Sequence, residues 1–224
     1  VVLLEEKVPL LYRFLPGINY AMIYEGSDMR YDIAVALDCG DIGRLGSRKQ
    51  VLENAAATAN IDHHTTNTGF AMLNYVDETA SSTGEIIFIL LRLMECKLDK
   101  NIATSLYTAI STDTGGFRYS NTTAQTHKVV ADLLSLGVDA AEISRQVFDI
   151  TSYEKVKLTG AAIQSLELFA EGRIAVMTLD NETIMNAGAA EEDSNGIINI
   201  ARNIRGVEVA AMLRQLDNGE IRVN

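Results

Sequence analysis

The chain is 224 residues long, enough for one large domain or two small ones. Hydrophobic residues make up 47%, charged residues 22%, and there are only 2 Pro, a core-forming composition that excludes a disordered tract, a collagen or a disulfide-stapled miniprotein. Nineteen basic against 30 acidic side chains leave a net charge of −11, which argues against a grip on duplex DNA and leaves a phosphate ligand to be held locally, by a metal ion or by oriented backbone N–H groups.

No membrane is expected as a partner. The longest nearly apolar run, residues 86–91, is far below the roughly 20 residues that a spanning helix needs. The opening Val-Val-Leu-Leu runs straight into Glu5, Glu6 and Lys7, without the pattern of a signal peptide. Cys39 and Cys96 stand far apart with no C-x-x-C spacing, as expected of reduced thiols in the cytoplasm.

In chain order, the start already reads as a strand. Residues 32–37 are an apolar run ending at Asp38, and residues 58–61 are a second, ending at Asp62. Neither shows the polar alternation of a half-exposed strand, so both are expected to be central strands of a parallel sheet, covered on both faces. Between them, residues 47–55 carry helix formers and no breaker. Ser82 with Glu85 three residues on is a capping-box pattern opening the next helix. Residues 100–111 and 123–136 read as two more helices, the second stopped by Gly137. After Phe148 the texture changes. A long amphipathic helix over 153–169 is followed by a strand at 173–179 and helical stretches at 182–186 and 196–203. Strands at 207–216 and 220–223 then pair through the turn signal Asp217-Asn218-Gly219.

The expected fold class is therefore α/β, a mainly parallel sheet flanked by helices, with a partial second α/β domain. The expected division is 1–150 for the first domain, 151–170 for a connecting helix and 171–224 for the second.

The chemistry gathers at strand ends. Two of the three histidines are adjacent in Asp62-His63-His64, directly after an apolar strand, and Asp38 directly follows another. In open α/β sheets ligands collect at the carboxyl ends of strands, so parallel neighbours would put Asp38 and His63 on one edge. Asp113 closes a helix before Thr114-Gly115-Gly116, where the glycine pair allows tight backbone approach. An Asp, His, Asp set without thiolates suits Mn²⁺ or Mg²⁺ ahead of zinc. Taken singly, each residue has an ordinary reading too: a cap or turn for the aspartates, a structural pair for the histidines, a helix stop for the glycines. His127, on a polar helix face, is read as exposed and silent.

Three segments carry a resemblance. Residues 35–41 (Val-Ala-Leu-Asp-Cys-Gly-Asp), residues 60–64 (Asn-Ile-Asp-His-His) and residues 112–122 (Thr-Asp-Thr-Gly-Gly-Phe-Arg-Tyr-Ser-Asn-Thr) are similar, in order and spacing, to the second, third and fourth motifs of the DHH phosphoesterase superfamily. Ser-Ser-Thr-Gly-Glu at 81–85 adds to the match. The tail, with Asp193-Ser194-Asn195-Gly196 and Gly206-Val207-Glu208-Val209, resembles the beginning of the family's associated C-terminal domain. Within the superfamily the chain looks most like the bacterial oligoribonucleases that also dephosphorylate adenosine 3′,5′-bisphosphate.

The resemblance implies roles. Asp38 would bridge two Mn²⁺ ions, His63 would ligate one, and Asp113 would ligate one or bridge. His64 would contact the substrate phosphate or assist the leaving group, Asp62 would orient the adjacent imidazole, and Arg118 would contact phosphate through its planar fork. The substrate implied is a very short oligonucleotide or a nucleotide bisphosphate, and a homodimer is compatible with the pattern. Two departures stand out. The family's first motif, His-x-x-x-Asp-x-Asp, and its glycine-rich Gly-Gly-Gly-His segment are both missing, and both belong at chain ends. The expectation is a chain truncated from an active parent, holding metal poorly and turning over little. A phosphodiesterase for cyclic or linear dinucleotides and a non-catalytic nucleotide-binding regulator are the alternatives.

Overall fold

The two apolar runs of the first half lie side by side and parallel in the computed structural model, which describes residues 1–26, 30–216 and 218–223. The chain divides into two units, Val1–Asp149 and Ile150–Asn224.

The first unit opens with β1 (Val2–Leu4) and β2 (Ala21–Ile23), a parallel pair. Then come β3 (Ile33–Leu37), the short α1 (Lys49–Glu53), β4 (Ala57–Asp62) and β5 (Leu73–Val76). These three strands form a second sheet in the order β3-β4-β5, parallel throughout. The helices α2 (Thr83–Leu93), α3 (Lys100–Asp113), α4 (Ala124–Ser135) and α5 (Ala140–Ser144) follow.

Local chemistry sets the helix starts. The Ser82 hydroxyl accepts from the Glu85 N–H, the Asp99 carboxylate from Ile102 N–H, and Thr123 with Thr126 closes a capping box. The apolar stripes of α2, α3 and α4 then meet in one core around Phe88, Leu106, Ile110, Val129 and Leu133. Gly84 lets α2 lie close on α3, since a Cβ there would stand 2.9 Å from the Ala109 Cβ. The buried Glu85 carboxylate accepts from the Ser81 N–H and from the Ser81 and Thr126 hydroxyls, tying the loop before α2 to α4.

The expected helix over 47–55 is shorter than read. A kinked 3₁₀ segment, Ile42–Arg48, takes its first part, with Gly46 in a left-handed conformation. The expectation of strands covered on both faces also fails. Ala36 packs with Cys39 and Leu52 on one face, but Ile33, Val35 and Leu37 of β3 and Leu73 and Tyr75 of β5 are exposed on the other. The register aligns these residues on one side, where α2 covers only part of the sheet and leaves an apolar groove of about 300 Å³ along Ile61, Ile86, Ile89 and Leu90. Unbroken apolar texture reports β-propensity and burial together, so it does not by itself say how many faces are covered.

The second unit contains α6 (Tyr153–Gln164), β6 (Glu167–Phe169), β7 (Ile174–Leu179), α7 (Asn181–Ala187), α8 (Ile198–Arg202), β8 (Val209–Gln215) and β9 (Ile221–Val223). Its sheet runs β6-β7-β8-β9, with β7 and β8 parallel and the outer pairs antiparallel. The long helix expected to 169 stops at Gln164. Ser165 turns the chain, its hydroxyl donating to Ala162 O and accepting from the Thr178 N–H, and the residues read as the helix's last turn become strand β6. Helix α6 contributes to this unit's core, where Leu158 and Ala162 are fully buried with Ala175, Met177 and Met212. Of the predicted turn before β9, Asp217 lies outside the described residues, while the Gly219 N–H reaches Leu216 O at 2.8 Å. Among the described residues no helix is long and apolar enough to cross a membrane.

Candidate metal centre

Because Leu37 pairs with Ile61 across parallel strands, the residues that follow β3 and those that end β4 emerge at the same sheet edge. Asp38 makes the first turn off that edge. Its backbone is left-handed (φ 57°), a conformation that Asp tolerates better than most residues, and its N–H still bonds Ile61 O at 3.0 Å. Its carboxylate is fixed from the facing helix, where the buried Thr83 hydroxyl donates to Oδ1 at 2.7 Å.

His63 stands at the centre. Its Nε2 lies 3.1 Å from Asp113 Oδ2 and 3.6 Å from Asp38 Oδ1, so both carboxylates stand against the same ring nitrogen. The other ring nitrogen, Nδ1, faces Ala80 O at 3.4 Å. A carbonyl only accepts, which puts a proton on Nδ1 and leaves Nε2 as the ring atom turned toward two carboxylates. With Nε2 unprotonated, the ring nitrogen and the two carboxylates are ligand atoms of the kind a divalent cation takes. The donor set therefore fits a hard or borderline divalent ion.

Asp113 is the last residue of α3. The chain turns sharply after it through Gly115 and Gly116, both left-handed, and a Cβ at Gly115 would fall within 2.4 Å of the Tyr119 ring. The Asn121 amide donates to Ser81 O and to Asp113 O, joining this turn to the loop before α2. Burial raises the pKa of the Asp113 carboxyl; the His63 ring opposes that rise and the Asp38 charge adds to it. A bound cation would reverse the balance by favouring the carboxylate.

His64 faces the same region from beside His63. Asp38, His63 and His64 each offer a ligand atom, all within 4.8 Å of one another. Its Nδ1 lies 2.7 Å from Asp62 Oδ1, so the imidazole that Asp62 holds is that of His64. Asp62 is fully buried, and burial alone would raise its pKa. Hydrogen bonds from His64, from the Asn67 amide and from the His63 N–H outweigh that effect and hold it below the ordinary carboxylate range.

Arg118 is engaged elsewhere. Its Nε donates to Gly115 O at 2.6 Å and its guanidinium lies 5.9 Å from the Phe148 ring centre. His127 is exposed on α4 with its ring 5.8 Å from Phe117. Two neighbours of the cluster escaped the reading of the sequence, Asn67 and Tyr12, and Thr83 was read only as part of the 81–85 segment, without a role. Burial pushes the Tyr12 hydroxyl's pKa up, against a hydrogen bond with Thr112 and together with the Asp113 charge, which places the phenol beside the end of α3.

Fold and cluster together define the class, an α/β domain with a candidate cation site on the edge of a parallel sheet. Residues 4–110 match the model of the DHH family, N-terminal domain, a segment just under half of the chain. It is similar to the bifunctional oligoribonuclease and PAP phosphatase NrnA of Thermus thermophilus, 34% identical over 161 residues, covering 71% of this chain and 48% of the relative. The protein of the same name from Bacillus subtilis is 27% identical over 196 residues, covering 86% of this chain and 62% of the relative. The chain thus spans about half the length of the first and under two thirds of the second. Among solved structures, an exopolyphosphatase-related protein from Bacteroides fragilis superposes with a TM-score of 0.90 at 25% identity, over 99% of this chain and 68% of that one.

Proposed function

We propose that the protein carrying this chain is a metal-dependent phosphoesterase that hydrolyses very short oligonucleotides and nucleotide bisphosphates such as adenosine 3′,5′-bisphosphate. The observation that carries the reading is that the Asp38 and Asp113 carboxylates both stand against His63 Nε2, with Asp38, His63 and His64 close enough together to hold one ion. The names borne by the Thermus and Bacillus relatives support the substrate class. Mn²⁺ is the ion proposed and Mg²⁺ the substitute, because the donors are carboxylate and imidazole without thiolate.

When bound, such an ion supplies charge neutralisation of a phosphoryl oxygen and a water acidic enough to be deprotonated near neutral pH. Asp38, His63 and Asp113 would hold the cation. Thr83 keeps the Asp38 carboxylate turned to the edge, and Ala80 O keeps the His63 lone pair facing it. His64, with its Nδ1 proton committed to Asp62, presents Nε2 to the substrate phosphate or the leaving oxygen. Arg118 contributes its terminal guanidinium nitrogens to phosphate only by turning out of its present contact with Phe148. The exposed acidic surface disfavours long polyanions and suits small substrates in the cytoplasm. Residues 1–150 are read as the metal-binding domain, and residues 171–224 as part of an associated domain.

The test is phosphate release from adenosine 3′,5′-bisphosphate and mononucleotide release from a dinucleotide by the whole parent protein, with and without Mn²⁺. Ion-stimulated release that Asp38→Asn and His63→Ala abolish supports the reading; no release from either substrate overturns it.

A further inference from the structure

The loop after β4 contains an amide whose orientation is set from both sides. Asn67 Oδ1 accepts from the Gly69 N–H at 2.8 Å, so that atom is the carbonyl oxygen. Its Nδ2 faces three acceptors: Asp62 Oδ2 at 2.6 Å, Asn60 Oδ1 at 2.8 Å and Cys39 O at 3.3 Å. A flipped amide would confront a donor with a donor and three acceptors with a fourth. Asn60 is itself fully buried and spends its own Nδ2 on Ala36 O and Cys39 O, which closes the network against the strand ends.

The network ends on a catalytic candidate. Asp62 receives the Asn67 amide on one oxygen and the His64 Nδ1 on the other, at 2.6 and 2.7 Å, with no exposure to solvent. A carboxylate clamped on both oxygens cannot rotate, and as an acceptor it requires the His64 proton on Nδ1. We propose that Asn67 is a positioning residue for His64, acting through Asp62 to fix the plane of the imidazole and leave Nε2 with the free lone pair. The inference rests on the reading of His64 as a phosphate-facing group. Without the amide, Oδ2 loses its side-chain donor in a dry site, the carboxylate turns to find another, and the ring turns with it.

The discriminating variant is Asn67→Ser. A serine hydroxyl can still accept from the Gly69 N–H, preserving the turn, but is too short to reach Asp62. Ring-nitrogen NMR of the chain distinguishes the two tautomers, and exposed His127 serves as the reference for an unheld ring. The native chain should show His64 in a single Nδ1–H form. In Asn67→Ser, its ring nitrogens should move toward the averaged positions of His127, while His63, held by Ala80 O, stays put. Should the serine chain not fold, Asn67→Ala is read the same way, with dispersion of the β4 amides as the check on folding. In the parent enzyme, Asn67→Ser should lower kcat about 10- to 100-fold with little change in KM. A His64 signal that keeps its single tautomer in a folded variant overturns the inference. If the NMR result holds but His64→Ala leaves phosphate release intact, the reading of His64 fails instead, and the positioning claim falls with the role it serves.

Discussion

Replacing Asp62 by Asn keeps the side chain's shape and removes its charge, and so isolates what the buried carboxylate contributes. The native group accepts from His64 Nδ1 at 2.7 Å, from Asn67 Nδ2 at 2.6 Å and from the His63 N–H. An amide oxygen can retain two of these; its NH₂ must face the remaining donor. Losing one charge-assisted hydrogen bond in a solvent-free site costs about 2 kcal/mol, roughly a thirtyfold fall in an opening equilibrium. Hydrogen exchange of the β4 amides is the suitable assay, because it reports the first unit alone in a chain of two units. The pH dependence gives a second reading. The folded-state carboxyl lies below its ordinary value, so its stabilisation is fully present above the unfolded value of about 3.9 and is lost as pH falls through the folded value. The gap between native and Asp62→Asn protection should therefore be widest near neutrality and close on acidification. Asp113, whose carboxyl is shifted the opposite way, is common to both proteins and cancels. Equal protection at pH 7, or a gap that persists unchanged in acid, would refute the reasoning.

Other consequences follow from the same contacts. Ile110→Ala should cost about 2–5 kcal/mol by emptying a fully buried site, lowering exchange protection in α3 and leaving β7 and β8 unaffected, whereas Met177→Ala should do the converse. Thr83→Val, near-isosteric but unable to donate to Asp38, should weaken Mn²⁺ binding to the parent protein by about tenfold in calorimetry, without lowering its melting temperature by more than a few degrees. The Glu142 carboxyl should titrate at about 2 by carbon NMR, held there by hydrogen bonds from Arg145 and Gln146, and Arg145→Ala should return it most of the way to the ordinary glutamate range.

The sequence carried the geometry of the site further than the architecture around it. Asp38 ends one apolar run and His63 directly follows the end of another, and parallel pairing of the two runs is enough to bring them to one edge. Asp113 was readable as a helix end because two glycines follow it. What could not be read was long-range. Thr83 and Asn67 look like an ordinary helix start and an ordinary turn residue until Asp38 and Asp62 are placed beside them. The texture of residues 166–169 continues the helical pattern, yet the Ser165 hydroxyl's bond to the Thr178 N–H commits them to a sheet. Likewise, Val35 and Tyr75 have the same composition whether their face is covered or open. Propensity is local, and each of these outcomes was decided by a partner distant in the chain.

The central claim is that His63, with Asp38 and Asp113, holds a divalent cation, and that His64 stands beside it without being its main ligand. A chain with only three histidines permits a direct test, since His127 provides an internal control. Cd²⁺, a diamagnetic stand-in for Mn²⁺, is titrated while the three pairs of ring nitrogens are followed by NMR. The account predicts that His63 Nε2 shifts first and furthest, ahead of His64, and that His127 does not move. A ring at 63 that stays unperturbed at saturating Cd²⁺, or that moves no more than His127, would contradict it.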